Sequence, residues 1–183
     1  MLLRDLLERA VLKPGVVDIA SFALDDYSES MPLNTAMESR VIVAYMMNDE
    51  PLPINHGGPA RIIVPGWYAM ASVKWVVKIS VIDHDFEGFF QKLRYTFANE
   101  GDDISPNSYV NTLRLKSRII WPSVGEELPV GSYIIKGLAW SGDGDITAVE
   151  VSTDWGKTWK AADILASQGR YAWREWRSEW GVE

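Results

Sequence analysis

The spacing of apolar residues at the start of the chain predicts an amphipathic helix. Leucines and small apolar residues recur at helical intervals within MLLRDLLERAV, with charged residues between them. Pro14 and Gly15 follow this pattern and are typical helix-stopping residues. Because the helix begins at Met1 without a lead-in, we expect that an N-terminal part of the domain precedes it.

The next eighty residues mix element types. Several segments have the length and alternation of strands, and one has the pattern of a short helix. The predicted strands are 16–22, 41–47, 61–64 and 72–82, and the predicted helix is 33–37. Together with the opening helix, these segments predict an α+β domain over residues 1–103.

A polar, turn-rich stretch at 100–108 predicts a linker, after which the pattern changes to short strands. The predicted strands are 113–121, 133–140, 146–152, 159–162 and 171–180. Six of the nine tryptophans lie from Trp140 onward, and large aromatics on alternating strands commonly fill a sandwich core. Residues 104–183 therefore predict an all-β sandwich, which we expect to be truncated because such sandwiches have about seven strands.

Composition narrows the function classes. The chain has a net charge of −7 and no basic cluster, which argues against nucleic-acid binding. It contains no cysteine, so these residues form no disulfide, thiolate metal site or cysteine nucleophile. The longest apolar run, 41–47, is far shorter than the ~20 residues that span a bilayer. Nothing in this composition assigns a cellular compartment.

Cationic and glycine-rich residues concentrate in NHGGPARIIVPGWYAMASVKW, residues 55–75. Gly57 allows close approach of the backbone to a ligand, and Arg61 offers a planar fork suited to phosphate or carboxylate. Ser72, Lys74 and His56 add a hydroxyl, a point charge and a ring that can donate a proton. From the pattern alone, this segment is either an anion-binding site or a turn cap followed by exposed strand charges.

Two long blocks resemble the sulfite oxidase family of molybdenum enzymes. The first is AYMMNDEPLPINHGGPARIIVPGWYAMASVKW, residues 44–75, and the second is GLAWSGDGDITAVEVSTDWGKTW, residues 137–159. The second block resembles the family's immunoglobulin-like dimerisation domain. The resemblance therefore implies a partial molybdopterin-binding domain followed by a partial immunoglobulin-like sandwich.

The resemblance also implies roles for individual residues. His56 and Arg61 match a motif that contacts the pyranopterin cofactor, and Ser72, Val73 and Lys74 match a segment that binds the same cofactor. Asp25, or Asp26 in the adjacent register, matches an acidic position that hydrogen-bonds the pterin.

Two further residues match the substrate side of the family's site. Tyr95 matches a tyrosine near the oxo ligands of the metal. Arg94 is a candidate for attracting an oxyanion, and an ordinary exposed charge is the alternative for it.

Other consequences of the resemblance concern activity and partners. It implies oxygen-atom transfer to sulfite or a similar oxyanion, an electron-acceptor protein and a homodimer. In the family a cysteine thiolate ligates molybdenum, and this sequence has none, so we expect the chain to be incomplete and inactive by itself. The alternative function is a non-catalytic, Trp-rich interaction module.

Two clusters of acidic residues could be considered as metal sites, but the sequence argues against both. A metal interpretation of Asp83, His84 and Asp85 is opposed by the strand geometry, which points consecutive residues to opposite faces. Asp143 and Asp145 lack the closing glutamate of a calcium loop and predict a β-turn.

Overall fold

The computed structural model describes residues 1–97, 109–166 and 169–182. The chain divides into two compact units, 1–111 and 112–183. The predicted linker at 100–108 and the predicted boundary after residue 103 lie outside the described residues.

Within residues 1–97 and 109–111, the first unit holds three α-helices, two short 3-10 helices and seven strands. The helices are α1 (Leu3–Arg9), α2 (Leu33–Ala36) and α3 (Phe89–Leu93), with 3-10 turns at Ile54–His56 and Ala69–Ala71. The strands are β1 (Asp18–Ala23), β2 (Ser28–Pro32), β3 (Ile42–Ala44), β4 (Met46–Met47), β5 (Glu50–Pro51), β6 (Arg61–Ile63) and β7 (Val76–Ile82).

The first unit is organised around β1, the central strand of an antiparallel sheet ordered β2-β1-β7. Ile19 on β1 and Met31 on β2 are register partners, and both side chains are buried. The apolar stripe of α1 meets this core through Leu3 and Leu7, which are also buried. The helix ends at Arg9 rather than near Pro14, because Val11 already adopts a left-handed backbone with φ +53°. Within the described residues, none of the helices has the length and apolarity that a membrane span requires.

The predicted strand at 41–47 is two strands in different sheets. β3 pairs with β6 in the core, whereas β4 pairs with β5 in an exposed hairpin. Asn48 and Asp49 both have positive φ, as a two-residue hairpin turn requires. The apolar run therefore predicted the strand character correctly but not the division between a buried and an exposed strand.

The predicted strand at 72–82 is wrong in its first four residues. β7 begins at Val76, and the preceding chain is a 3-10 turn at Ala69–Ala71 followed by an irregular segment. Trp75 has φ +49°, which is outside the β region and breaks the strand before it starts. Ser72, Val73 and Lys74 thus lie on a connecting segment rather than within the sheet.

The second unit is entirely β among its described residues. Its strands are β8 (Lys116–Trp121), β9 (Gly131–Trp140), β10 (Glu150–Val151), β11 (Lys160–Ala161), β12 (Asp163–Ile164) and β13 (Arg174–Val182). Four of them form a sheet ordered β12-β13-β9-β8, and β10 pairs with β11 in a ribbon. Val151 of the ribbon packs with Ile135, Ala139 and Trp176 of the sheet in one core. The predicted strand at 146–152 shortens to β10, and β12 is a strand that the sequence pattern missed.

The centre of this core is a close contact between Trp176 and Gly137. The two residues are register partners on β13 and β9, and the indole is 2% exposed. The indole N–H donates to Ser117 Oγ at 3.1 Å, so the ring is held in one orientation. A Cβ on Gly137 would lie 2.0 Å from the ring and 2.7 Å from the carbonyl oxygen of Arg118. The ring therefore occupies the space that any other side chain would need.

Substitution of Gly137 tests this packing. We expect Gly137→Ala to lower the free energy of unfolding by about 1–3 kcal/mol, since the indole must move from its bonded position. The matched control is Gly181→Ala on β13, where a Cβ meets nothing within 4 Å. Urea unfolding followed by tryptophan fluorescence measures both variants. Equal stability of the two variants would contradict the packing described here.

Candidate functional site

The guanidinium of Arg61 joins the two segments that carry the predicted site. The first segment is the turn at 54–58, and the second is the irregular segment at 72–75. Its Nη1 donates to the His56 carbonyl at 2.9 Å, and its Nη2 donates to the Ser72 carbonyl at 3.0 Å. β6 places Arg61 at its first residue, opposite Ala44 of β3. Partial burial lowers the pKa of Arg61, but an arginine remains charged at any physiological pH. Each terminal nitrogen has two N–H groups, and one on each has no acceptor among the described residues, so it can serve a ligand.

The Ser72 side chain and the Val73 backbone fix the second segment against β6. Ser72 Oγ accepts from the Val64 N–H at 3.1 Å, and the Val73 carbonyl accepts from the Ile62 N–H at 2.9 Å. The Val73 side chain is buried in the core. Only the backbone of Val73 is therefore suited to ligand contact.

Lys74 crosses from the second segment back to the first. Its Nζ donates to the Asn55 carbonyl at 2.8 Å and keeps two further protons for other acceptors. The side chain passes over Gly57, where a Cβ would lie 2.8 Å from Lys74 Cγ. Gly57 also has φ +101°, a conformation that favours glycine. A glycine at this position lets the lysine lie flat against the turn.

Trp75 holds the connecting segment in a strained conformation. A non-glycine residue in the left-handed region costs roughly 1–3 kcal/mol, and such strain concentrates at functional sites. Here the indole N–H donates to the Ile54 carbonyl at 2.8 Å, and the backbone N–H donates to the Gly57 carbonyl at 3.1 Å. The Trp75 carbonyl in turn accepts from the Leu24 N–H at 3.0 Å. These bonds offset the strain and turn the chain from the site into β7.

A cleft of about 240 Å³ opens beside these residues. Its lining combines two cations, one carboxylate and aromatic surface. The lining residues are Ala23, Asp25, Tyr27, Arg61, Ala69, Met70, Ser72, Val73, Lys74 and Trp75. The exposed carboxylate of Asp25 accepts from the Tyr27 N–H at 3.3 Å, which orients the turn between β1 and β2. Five of the residues predicted from the sequence thus meet in one cleft.

Three predicted residues do not line this cleft. The backbone of His56 contacts Arg61, but its exposed ring is not among the lining groups. Arg94 is exposed, with its guanidinium 5.8 Å from the ring centroid of Phe89. Tyr95 is half-buried and stacks on Phe90 at a centroid distance of 6.2 Å. Their predicted roles stay predictions.

Tyr27 is a lining residue that the sequence analysis missed. Its ring contacts Phe90 at 4.9 Å between centroids, so a line of aromatic rings runs from the cleft through Phe90 to Tyr95. Its hydroxyl lies 3.2 Å from Glu29 Oε2 and 3.2 Å from the Met70 carbonyl oxygen. The only local signal was its position two residues after Asp25. The contact with Met70, across 43 residues of sequence, gives no local signal at all.

The structure does not support the metal alternatives. Within the described residues, no group of three or more His, Cys, Asp or Glu side chains is placed to hold a metal ion. His84 is exposed, and its Nδ1 lies 2.9 Å from the adjacent Asp83 carboxylate. Asp145 lies 3.7 Å from the Arg174 guanidinium.

Comparison with known proteins accounts for both units. Residues 1–90 match the family model of the oxidoreductase molybdopterin binding domain, and residues 107–181 match the Mo-co oxidoreductase dimerisation domain. Human mitochondrial sulfite oxidase is 37% identical over 163 residues, which cover 82% of this chain and 30% of that protein. Barley nitrate reductase [NAD(P)H] is 34% identical over 169 residues, which cover 82% of this chain and 19% of that protein. The chain therefore spans less than a third of the length of these relatives.

A solved structure resembles the whole fold. The sulfane dehydrogenase SoxCD from Paracoccus pantotrophus matches with a TM-score of 0.86 and 31% identity, over 99% of this chain and 47% of that chain. With the two family matches, this confirms the predicted fold class, a molybdopterin-binding α+β domain followed by a β-sandwich dimerisation domain. The molybdopterin binding domain and the sulfite oxidase relatives also confirm the predicted cofactor class, molybdenum with molybdopterin.

The bridging role of Arg61 can be tested without a ligand. Arg61→Lys keeps the charge, but one ammonium lacks the fork that reaches the His56 and Ser72 carbonyls together. We expect a loss of about 1–2 kcal/mol in the free energy of unfolding, because hydrogen bonds from a charged donor are lost at a half-buried site. Chemical unfolding of Arg9→Lys, an exposed position on α1, is the control. A loss of the same size in both variants would refute a bridging role for Arg61.

Proposed function

The chain belongs to the sulfite oxidase family of molybdopterin oxidoreductases, and we propose that its first unit forms one wall of a molybdenum-cofactor site. The enzyme would transfer an oxygen atom from water to sulfite or a similar small oxyanion and pass the electrons to an acceptor protein. The observation that supports this proposal most strongly is the cleft in which Arg61, Lys74 and Asp25 converge.

The chemistry of this cleft fits the cofactor. A molybdopterin carries a phosphate, which requires cations, and a pterin ring with N–H groups, which require acceptors. In the part of the chain that the structure describes, Arg61 and Lys74 retain unused N–H groups for the phosphate, and the exposed Asp25 carboxylate is an acceptor for the ring. A volume of about 240 Å³ is below the 300–1,000 Å³ typical of ligand pockets, which fits a single wall rather than a closed site.

The contacts support roles for the cleft residues, whereas the roles of Tyr95 and Arg94, which do not line the cleft, rest on the resemblance to the family. Ser72 would contribute its hydroxyl proton, because its backbone carbonyl and N–H are bonded to Arg61 and Ala69. Val73 would contribute its backbone N–H, and His56 would extend the binding surface beside the Arg61 bridge. When bound, the cofactor would supply the two-electron redox chemistry of oxygen-atom transfer. Tyr95 would hydrogen-bond the oxygen being transferred, and Arg94 would attract the oxyanion.

Because the sequence contains no cysteine, these 183 residues cannot supply a thiolate ligand to molybdenum. A molybdenum thiolate ligand of the type expected in this family has to come from outside the 183 residues. We propose that the chain binds the pterin but does not turn over substrate without that ligand.

The second unit would join two copies of the chain. Its matched family is a dimerisation domain, and its sheet ends in the edge strand β8, where Ile119 and Ile120 are each 49% exposed. These residues border a largely apolar groove of about 720 Å³ with Val124, Leu138 and Trp173. Exposed apolar edge strands tend to pair with another chain. We propose that this groove is buried in a homodimer.

Cofactor retention tests the proposed site. In a host that makes the molybdenum cofactor, the purified chain should carry pterin, measured as its fluorescent oxidation product. Lys74→Gln removes the charge but keeps a donor for the Asn55 carbonyl, and we expect at least about tenfold weaker retention, equivalent to about 1.4 kcal/mol. Lys78→Gln, on exposed β7 outside the cleft, should retain wild-type levels.

Two results would count against a cofactor site. They are a wild-type chain without pterin, and equal retention by the two glutamine variants. The first result would favour the alternative, a non-catalytic Trp-rich interaction module.

The dimer has its own test. Ile120→Lys places a charge in the groove and should convert a dimer to a monomer in sedimentation velocity, because a buried unpaired charge is costly. Val130→Lys changes an equally apolar residue that is 78% exposed and outside the groove, and it should remain dimeric. A dimer that persists in the Ile120→Lys variant would place the interface elsewhere.

A further inference from the structure

Glu29 is a buried carboxylic acid that the proposed binding site does not use. It lies on β2 with 6% of its surface exposed and faces a polar cavity of about 60 Å³. That volume is large enough to hold a water molecule. The other titratable groups that line the cavity are Asp18 on β1, Asp85 after β7 and Tyr109, and the lining includes no Lys or Arg among the described residues. Because no cation lines the described part of the cavity, a negative charge on Glu29 has no opposite charge there to stabilise it.

The environment of Glu29 brings the pKa of its carboxyl close to neutral pH. Burial raises the pKa of the Glu29 carboxyl to about 7, and the negative charge of Asp18 acts in the same direction. Hydrogen bonds from the Ser30 N–H and the Tyr27 hydroxyl oppose this rise. Asp18 itself accepts from the Ser30 hydroxyl at 2.9 Å and from the Phe86 N–H at 3.0 Å.

Tyr27 connects this acid to the cofactor cleft. Its hydroxyl has one proton but lies within 3.2 Å of two acceptors, Glu29 Oε2 and the Met70 carbonyl. With Glu29 ionised, Tyr27 donates to the carboxylate. With Glu29 protonated, the acid donates to the Tyr27 oxygen, and Tyr27 donates to Met70. The two protonation states thus correspond to two hydrogen-bond arrangements without movement of heavy atoms.

Tyr27 and Glu29 lie between the cofactor cleft and the polar cavity. Tyr27 and Met70 line the cofactor cleft, whereas Glu29 lines the polar cavity. The Tyr27 ring also contacts Phe90, which stacks on Tyr95. A proton released in the cleft would reach the cavity through a single hydroxyl and a single carboxyl.

We propose that Tyr27 and Glu29 form a proton relay between the cofactor cleft and the polar cavity. This proposal rests on the proposed function. Oxidation of an oxyanion with the oxygen of one water releases two electrons, which pass to the acceptor, and two protons, which must leave the cleft. The relay would take up one such proton at a time on Glu29 and release it through the cavity.

Carbon-13 NMR of the carboxyl and phenol carbons tests the relay in the cofactor-free chain. Between about pH 5 and pH 9, we expect the Glu29 carboxyl and Tyr27 Cζ to titrate together with one midpoint near 7, well above the ordinary 4.5 of a glutamic acid. Glu29→Gln should abolish the Tyr27 transition. Glu50→Gln, an exposed carboxyl on β5, should leave it unchanged.

A second variant and a loaded sample complete the experiment. Tyr27→Phe removes a donor to the carboxylate and should raise the Glu29 midpoint further. Molybdopterin in the cleft should also raise the midpoint, because its phosphate adds negative charge beside Tyr27. A Glu29 midpoint near 4.5, or a Tyr27 signal that does not follow Glu29, would overturn the relay even in a chain that retains pterin. A chain that lacks pterin but shows coupled titration would instead overturn the proposed function.

Discussion

The bridge from Arg61 to the His56 and Ser72 carbonyls is the interaction on which the candidate site depends. It ties a glycine-rich turn to a segment that otherwise has no regular secondary structure. Because two hydrogen bonds to backbone carbonyls hold the guanidinium, it is already oriented before any ligand binds. Such preorganisation reduces the entropy that binding costs. The same residue would thus build the cleft and hold an anion in it.

Lys74 and Trp75 extend this arrangement through the same turn. Both donate from their side chains to carbonyls of the Ile54–His56 region, and Gly57 leaves room for the lysine stem. The strained backbone of Trp75 persists because its hydrogen bonds determine its conformation. Rigid positioning of two cations beside Asp25 is what distinguishes this cleft from an exposed charged strand, the alternative that the sequence pattern left open.

Much of the fold could be predicted from the sequence, and the failures have local causes. The core strands and α1 follow from apolar periodicity. Alternation over 72–82 could not reveal that Trp75 adopts a left-handed backbone, because its hydrogen-bond partners Leu24, Ile54 and Gly57 are remote in sequence. The residue pattern at 55–75 left anion binding and exposed strand charges both open, and the resemblance to the family assigned these residues, together with Asp25, to a cofactor. Tyr27 was missed because its contact with Met70 spans 43 residues of sequence, and Glu29 was missed because no local pattern reveals its burial on β2.

The central claim is that the turn at 54–58 and the segment at 72–75 form one preorganised wall for an anionic pterin. Hydrogen–deuterium exchange, compared between chain purified from hosts with and without molybdopterin synthesis, tests this claim most directly. The account predicts slower exchange in both segments together in the pterin-loaded chain, with the exposed β4–β5 hairpin unchanged as an internal reference. Unchanged exchange in both segments, or protection confined to one of them, would contradict it.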